Sequence, residues 1–563
     1  MVLKLDTQNI FQRLQLPRQD IEMLPFCGSN KASKVIEWTN SLKVTQSLGT
    51  CNQLYQAIPQ VLRLQASAIE RKQMLDALFA VAYPAAFGLG KDFLNQPLAL
   101  PQQAQKMAVL GQAILNSLVS GYFLCLKNLL DDKKVKLDQR GLLGEIFFNA
   151  LQCLALMQLR NAQLYSQASP LLWRQANSLY QLALHADVAD KPVKSHYSGL
   201  QNASPKEIYL RLIALASARL NQLTQIDMGN VFSALESWSK AIKAPSATPS
   251  FWIDLNDDAA PTSQQKQPAP EGDSIFTVDF NVLTQQIASL LEGESNIIQT
   301  GYEISIPAEL SSPSAIHLEQ AWSKNVSRES HRQSSNQTAE VVVGFGLCHS
   351  KLSGIDNFAD FIGHSKEKKK SDVGMPFLSN MLGALTPSDN RKLDTETNMH
   401  TSLRMTTQNI SKEGYCFKWE GQQPVRIDAG DVICVREHAK RGWGLGIIRW
   451  IRKFKHHSLL GVQLLSNKPT AIAAACNFDD GGYSDFMRAF LLPSSHPHQG
   501  PTLLTAHILF KEGAKIKLKH DAASGFVLGR IANTQVTTSR VKTFTLQIQS
   551  DEKTTQDAHQ HQL

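Results

Sequence analysis

Through residue 252 the apolar residues of this 563-residue chain recur every three or four positions, the period of a helix that buries one face. "EIFFNALQCLALMQLRNAQLYSQ" and "PLLWRQANSLYQLALHADV" show it most plainly. Ser204 and Glu207 have capping-box spacing, Pro205 takes the first helical position, and Asp227 or Asn230 reads as the break before the next helix. Residues 1–252 are therefore expected to form an all-α helical domain. Large apolar residues then almost vanish in "DLNDDAAPTSQQKQPAPEGDS" (Asp254–Ser274), which predicts a flexible acidic, Pro- and Gln-rich linker over 253–327. One isolated helix, "FTVDFNVLTQQIASLLEG", interrupts it.

From Glu340 the period falls to two. "AEVVVGFGLCHS", "SLRMTTQNI", "YCFKWEG", "VRIDAGDVICVRE", "WGLGIIRWIRKF" and "LLGVQLLS" are short β-rich runs separated by Gly, Asn, Asp, Lys and His, the pattern of an antiparallel barrel or sandwich. A polar insertion, 354–399, separates the first two runs and holds "KEKKKSD" and a short apolar stretch, "FLSNMLGAL". Beyond residue 466, "TLLTAHILF", "AKIKLKH", "FVLGRIANT" and "VKTFTLQIQ" predict a further small β unit over 467–550, and 551–563 reads as a disordered tail. The fold class is a multidomain α + β protein, all-α first and antiparallel β afterwards. Trp419, Trp443 and Trp450 lie on predicted strands and are expected in the barrel core.

Composition narrows the function classes. Hydrophobic residues at 43% and charged residues at 19% describe an ordinary globular chain. A net charge of +8 is spread too thinly to indicate nucleic-acid binding, for which Arg441, Arg449, Arg452, Lys453, Lys455 and "KIKLKH" are the available cations. "MAVLGQAILNSLVSGYFLCL" (Met107–Leu126) approaches membrane-span length, yet Gln112, Asn116 and Ser120 recur every four residues along it. That polar stripe belongs to an amphipathic core helix, so no membrane span and no export signal are predicted. The eight cysteines form no CxxC pair, which fits a reducing cytoplasm and indicates no metal site. No GxSxG, HExxH or paired acidic motif occurs in a strand–helix context, and Asp257-Asp258 and Asp479-Asp480 fall in linker or turn stretches. Catalytic residues are not predicted, and the chain is not read as an enzyme. "VVVGFGLCHSKLSG" contains GxG but neither phosphate-loop pattern.

One constellation stands out. Arg328 and Arg332 form an RxxxR spacing on a polar, Ser-rich segment just before the first β run. Asn409, Ser411 and Gly414 form an [DN]xSxxG spacing in "NISKEGYCFKW", at the entry to a later strand. With the closing "GIIRWI…LLGVQLL" hairpin, this order resembles the PilZ domain over 328–466. The long helical region before it is similar to that of proteobacterial proteins with a divergent PilZ domain. The resemblance implies a six-stranded antiparallel barrel that binds cyclic di-GMP through Arg328, Arg332, Asn409, Ser411 and Gly414. It also implies a regulatory effector whose helical domain contacts a partner protein.

The residue types suit that ligand. Arginine's planar fork pairs bidentately with phosphate or with the guanine O6/N7 edge and stacks on a purine. Asn409 and Ser411 lie on one side of an extended chain and offer compact donors and acceptors. Gly414 admits either a positive-φ turn or a flat base against the backbone. The alternative is a ligand-free scaffold in which the same residues only make an Asx or Ser turn. Residues 333–408 separate the two motif halves, where the family's usual separation is short. Whether the arginines reach the hairpin is left open by the sequence.

Overall fold

The computed structural model describes residues 7–43, 47–130, 139–194, 202–293, 304–323, 331–363, 402–421, 425–437, 441–478, 481–494, 500–506 and 510–548. The chain divides into two compact units. One comprises Met1–Ser327 with Gly421–Arg426 and Arg452–Lys455; the other comprises Arg328–Glu420, Ile427–Ile451 and His456–Leu563.

The first unit is helical through Trp238, as the period-3.6 pattern requires. Its principal helices are Ser47–Arg63, Ala68–Gly88, Gln102–Leu130, Arg140–Gln163, Leu172–His185, Pro205–Ser217 and Gln225–Trp238. Gln102–Leu130 and Arg140–Gln163 are each long and apolar enough to cross a membrane, and 61% and 78% of their most apolar windows are buried inside the protein. The polar stripe on the first of them is bonded locally or to neighbouring helices. Gln112 Nε2 donates to the Met157 carbonyl (3.1 Å), Asn116 Oδ1 accepts from Gln175 Nε2 (3.1 Å), and Ser120 Oγ donates to the Asn116 carbonyl (3.0 Å).

The Ser204–Glu207 box forms as predicted: Glu207 N–H donates to Ser204 Oγ (3.2 Å) and Ser204 N–H to Glu207 Oε2 (2.7 Å). The break after this helix falls earlier than Asp227 or Asn230. Arg219 adopts left-handed φ (48°), and Thr224 caps the next helix by accepting from Asp227 N–H. Asp227 thus belongs to a helix start, where a carboxylate favours the helix dipole. Two buried arginines close helix ends. Arg71 donates to the carbonyls of Leu64 (2.7 Å) and Leu62 (3.4 Å) beyond and within the last turn of Ser47–Arg63, and Arg160 donates to that of Phe87 (2.7 Å). Carbonyls at the C-terminal end of a helix carry the negative end of the dipole, which a guanidinium favours.

The predicted linker over 253–327 is corrected by the structure. Strands β1 (Phe251–Asp254), β2 (Thr262–Ser263) and β3 (Ile275–Val278) form a sheet in the order β2-β1-β3, followed by helices Asn281–Leu291 and Ser312–Ser323. Its few aromatic residues anchor it: Phe280 is fully buried and stacks on Trp322 with centroids 5.3 Å apart. Each such ring contributes on the order of 2–3 kcal/mol of burial, which a polar average over the segment conceals.

In the second unit, β4 (Gln333–Ser334), β5 (Thr338–Val343), β6 (Leu403–Ser411), β7 (Gly414–Trp419), β8 (Val432–Arg436), β9 (Gly444–Lys453) and β10 (Ser458–Ser466) form a sheet in the order β4-β6-β5-β8-β9-β10-β7. A β6–β7 pairing closes six of these strands into an antiparallel barrel and leaves β4 as an added piece. The run read as "AEVVVGFGLCHS" is only half strand. Gly344 at φ 111° turns the chain into helix Phe345–Ser353, whose Cys348 and His349 are buried. The insertion begins in order too, as helix Phe358–Ile362; its remainder from residue 364, "KEKKKSD" and "FLSNMLGAL" included, lies outside the described residues, as does the tail.

The further β unit is a second closed six-stranded barrel. β11 (Thr470–Cys476), β12 (Met487–Leu492), β13 (Thr502–Ala506), β14 (Lys515–Lys519), β15 (Phe526–Thr537) and β16 (Val541–Ile548) run in the order β11-β12-β13-β16-β15-β14. β11 and β12 escape the sequence pattern. "TAIAAAC" is buried from Ala471 to Cys476 without alternation, and small alanines give no strand signal. Helix Phe345–Ser353 joins the two barrels: Cys348 shares a core with Val432, Cys434 and Leu445 of the first barrel and with Phe490, Leu504 and Val541 of the second. Arg540 adds a charged tie, reaching Asp428 and, at 3.1 Å, Asp431.

Candidate functional site

The described residues of the sequence constellation gather around one hairpin. β6 and β7 are joined by the two residues Lys412 and Glu413, and Ser411 pairs with Gly414, Ile410 with Tyr415 and Asn409 with Cys416. β4 pairs with the far side of the same stretch, Gln333 opposite Ile410 and Ser334 opposite Asn409. Continued by one residue, this register carries exposed Arg332 opposite Ser411. Arg328 lies outside the described residues. Arg332 thus stands one residue beyond a pair with the hairpin strand, and the described residues between the halves form β5, two short helices and β6.

Paired residues in antiparallel strands share a face, and two rows result. The first runs Ser334, Asn409, Cys416, Gly461 across β4, β6, β7 and β10; the second runs Ser411, Gly414, Gln463, with Arg332 at its head. The side-chain position of Gly461 is occupied by Trp450, whose Nε1 would lie 2.0 Å from an added Cβ. Trp450 is thus half-buried at the end of the Asn409 row, on the outer face. Trp443 is also half-buried, lying under the Arg436 guanidinium (4.6 Å to the ring centroid). Trp419, 4% exposed, takes the core place expected of all three, and Trp443 packs against the core shared by the two barrels.

A bulge makes the outward rows. Leu403, Met405 and Thr407 are buried, so strict alternation would carry Asn409 and Ser411 to the buried face as well. The register shifts by one between Thr407 and Asn409, at exposed Gln408, and the shift turns both polar side chains outward. The signal was present in the sequence. Apolar residues and then Asn and Ser at the same parity of one strand require either buried polar groups or a bulge. Thr407, Gln408 and Ser334 are the residues that the motif alone misses.

Gly414 has a structural duty. Its φ is 154°, and a Cβ would lie 1.9 Å from the Val462 carbonyl oxygen. Of the two uses expected for this glycine, the neighbouring backbone takes the space. Ser411 Oγ donates to the Gly414 carbonyl at 3.4 Å, a weak bond that leaves the hydroxyl able to exchange partners. Near the rim, Tyr415 donates its hydroxyl to Glu437 (3.0 Å). Burial, reinforced by that carboxylate, pushes the phenol up to about 12, so Tyr415 is neutral at physiological pH. Arg404, exposed on the outer face of β6, stands opposite Glu340. The Ser402 hydrogen bond, with Arg436 beyond it, holds the Glu340 carboxyl below its usual range. Arg332 and Lys412 are exposed beside the rows. The face therefore offers fork-shaped and point cations, two compact polar groups and an aromatic edge, which is chemistry for recognising a base and an anion together. Among the described residues, no three His, Cys, Asp or Glu side chains gather as a metal site.

A closed six-stranded antiparallel barrel carrying this hairpin, with residues 332–337 as a strap along β6, is a PilZ fold, and the chain belongs to the PilZ domain family as a divergent member with a long helical N-terminal region. The family model for the middle PilZ domain of the cyclic-di-GMP receptor FimW matches residues 250–381 and 379–471. The models for that receptor's N-terminal domain and C-terminal beta-barrel domain match 33–247 and 473–547. The chain is 23% identical over 568 residues to the cyclic-di-GMP receptor FimW of Pseudomonas aeruginosa, an alignment covering 93% of this chain and 92% of that protein. No solved structure matches. The family is one of receptors, not of enzymes.

Proposed function

We propose that this protein is a cytoplasmic effector that binds cyclic di-GMP on the outer face of its first barrel and acts through contacts of its helical domain with a partner protein. The reading is supported by the pairing of Ser334 with Asn409 and Gln333 with Ile410, a register that, continued by one residue, sets Arg332 opposite Ser411. Arg332 pairs with a phosphate or a guanine Hoogsteen edge, Arg328 supplies a second guanidinium fork for the same ligand, and Asn409 and Ser411 meet base or ribose edges. The likeness to a protein named as a cyclic-di-GMP receptor supports the ligand. All eight cysteines are free thiols, seven of them buried, which supports a reducing compartment. Ligand binding shifts the effector's conformations only by its difference in affinity for them.

Calorimetric titration of the full chain with cyclic di-GMP tests this. Micromolar or tighter affinity is expected, and Arg328→Ala combined with Arg332→Ala abolishes the heat. Absence of heat from the unaltered protein at high concentration overturns the reading. It would favour the second one, a ligand-free scaffold, for which the motif glycine offers a specific observation. Strand packing against Val462 accounts for Gly414 without any ligand.

A further inference from the structure

We propose that Thr407, which lies outside the recognised motif, is the positioning residue of this site: its buried hydroxyl sets the bend that lays Arg332 beside Ser411. The inference rests on the cyclic di-GMP reading above. Thr407 is 1% exposed, yet every bond of its hydroxyl goes to the strap. It donates to the Gln337 carbonyl (2.9 Å), accepts from Gln337 N–H (3.0 Å) and accepts from the Ser335 hydroxyl (2.7 Å). One donor and two acceptor positions exhaust what a hydroxyl offers. Two backbone bonds flank the clip, Thr407 N–H to the Gln337 carbonyl (2.8 Å) and Ser335 N–H to the Gln408 carbonyl (3.1 Å).

The clip matters because β4 cannot hold its own place. It is two residues long with both side chains exposed, so no buried face specifies its register. A one-residue slip would turn Arg332 to the opposite face. The pairs Thr338–Thr406 and Ser334–Asn409 differ by one in register. The strap therefore contains its own irregularity between residues 334 and 338, opposite the β6 bulge, and Thr407 sits where the two meet. The same hydroxyl thus fixes both the outward turn of Asn409 and the placement of Arg332.

The test is a double-substitution cycle read by titration of the full chain with cyclic di-GMP. Thr407→Val, which keeps the shape and removes the hydroxyl, is expected to weaken affinity about tenfold, and Thr407→Ser to restore it to within about threefold. Arg332→Lys keeps a cation without the fork. If Thr407 acts by placing Arg332, adding Thr407→Val to Arg332→Lys costs much less than it costs alone. Hydrogen exchange of the ligand-free protein should show faster exchange at the Ser335 and Gln337 amides in Thr407→Val. Unchanged affinity in a folded Thr407→Val, or losses that simply add, overturns the inference while leaving the ligand reading intact. Should Thr407→Val fail to fold, Ser335→Ala removes one bond of the clip and is held to the same cycle with about a threefold loss. No heat from the unaltered protein defeats the ligand reading itself, and this inference with it.

Discussion

The two barrels have the same number of strands and the same antiparallel closure, and they differ in what is attached to them. The second barrel closes on a continuous apolar interior, with Ile472, Leu503, Ile516 and Phe544 at its centre. It too breaks register, between Ile531 and Thr534 and between Thr534 and Val536. There the freed Thr534 N–H is taken by Glu512 (2.7 Å), and no added strand pairs with it among the described residues. In the first barrel the break at Gln408 is met by β4, so a strand that would otherwise end as a rim becomes the centre of a polar face. Closing a sheet removes its edges. A barrel gains a docking face when one strand outruns its neighbour and accepts a second partner at a bulge. A bulge alone is a fold detail; a bulge with a strap across it carries the proposed site.

Three tests probe that contrast, in falling order of effect. Gly414→Ala and Gly500→Ala each place a Cβ against backbone, 1.9 Å from the Val462 oxygen and 2.0 Å from the Leu546 oxygen respectively. Backbone atoms cannot step aside, so each is expected to cost more than about 3 kcal/mol in denaturant unfolding. Gly414→Ala should also remove ligand affinity, whereas Gly500→Ala, where it remains folded, should leave affinity alone. Equal effects of the two on affinity would erase the distinction between the barrels.

Next, Arg540→Ala removes the tie between barrels and strands Asp428, 4% exposed, without its guanidinium. A loss of about 3 kcal/mol is expected, with the unfolding curve splitting where the barrels part. A single unshifted transition would show that the shared core around Cys348 suffices.

The smallest effect is set by pH. His349 is buried against Phe361, Phe358 and Phe490 and hydrogen-bonds the Ile472 carbonyl at 3.0 Å, so its Nε2 carries the proton. Burial first, then the positive Arg488, pulls its pKa down to about 4. The folded state thus binds this proton less readily than the unfolded chain, near 6.5. Its contribution is present above about pH 6.5 and is lost as pH falls toward 4. Going from pH 7 to pH 5 should lower stability by about 2 kcal/mol, and His349→Gln should flatten that dependence. An unchanged slope in the variant would refute the assignment.

The insertion between the motif halves has a modest thermodynamic weight. Thr407 and Gln337 are 70 residues apart. Closing such a span instead of one a quarter as long adds only about 1.2 kcal/mol, which one or two hydrogen bonds of the clip offset. That is why a long interruption in sequence does not prevent Thr407 and Gln337 from meeting in space.

The sequence by itself determined the class of the molecule: a helical domain read over residues 1–252, from apolar spacing and caps such as Ser204–Glu207, then period-two strands, and a motif pair that named the hairpin. It misjudged stretches where a few residues outweigh the local average. Phe280 and Trp322 order a segment read as linker, and the buried alanines of β11 carry no alternation. It could not decide which way Asn409 and Ser411 point, because facing depends on register, and register shifted at Gln408 through contacts 70 residues distant. Nor could it divide the duties of Gly414 between turn, packing and ligand, since only the neighbouring strand shows the Val462 carbonyl in the way. Local propensity reads from the chain; facing, reach and spare volume are properties of partners, and only the tertiary structure supplies those.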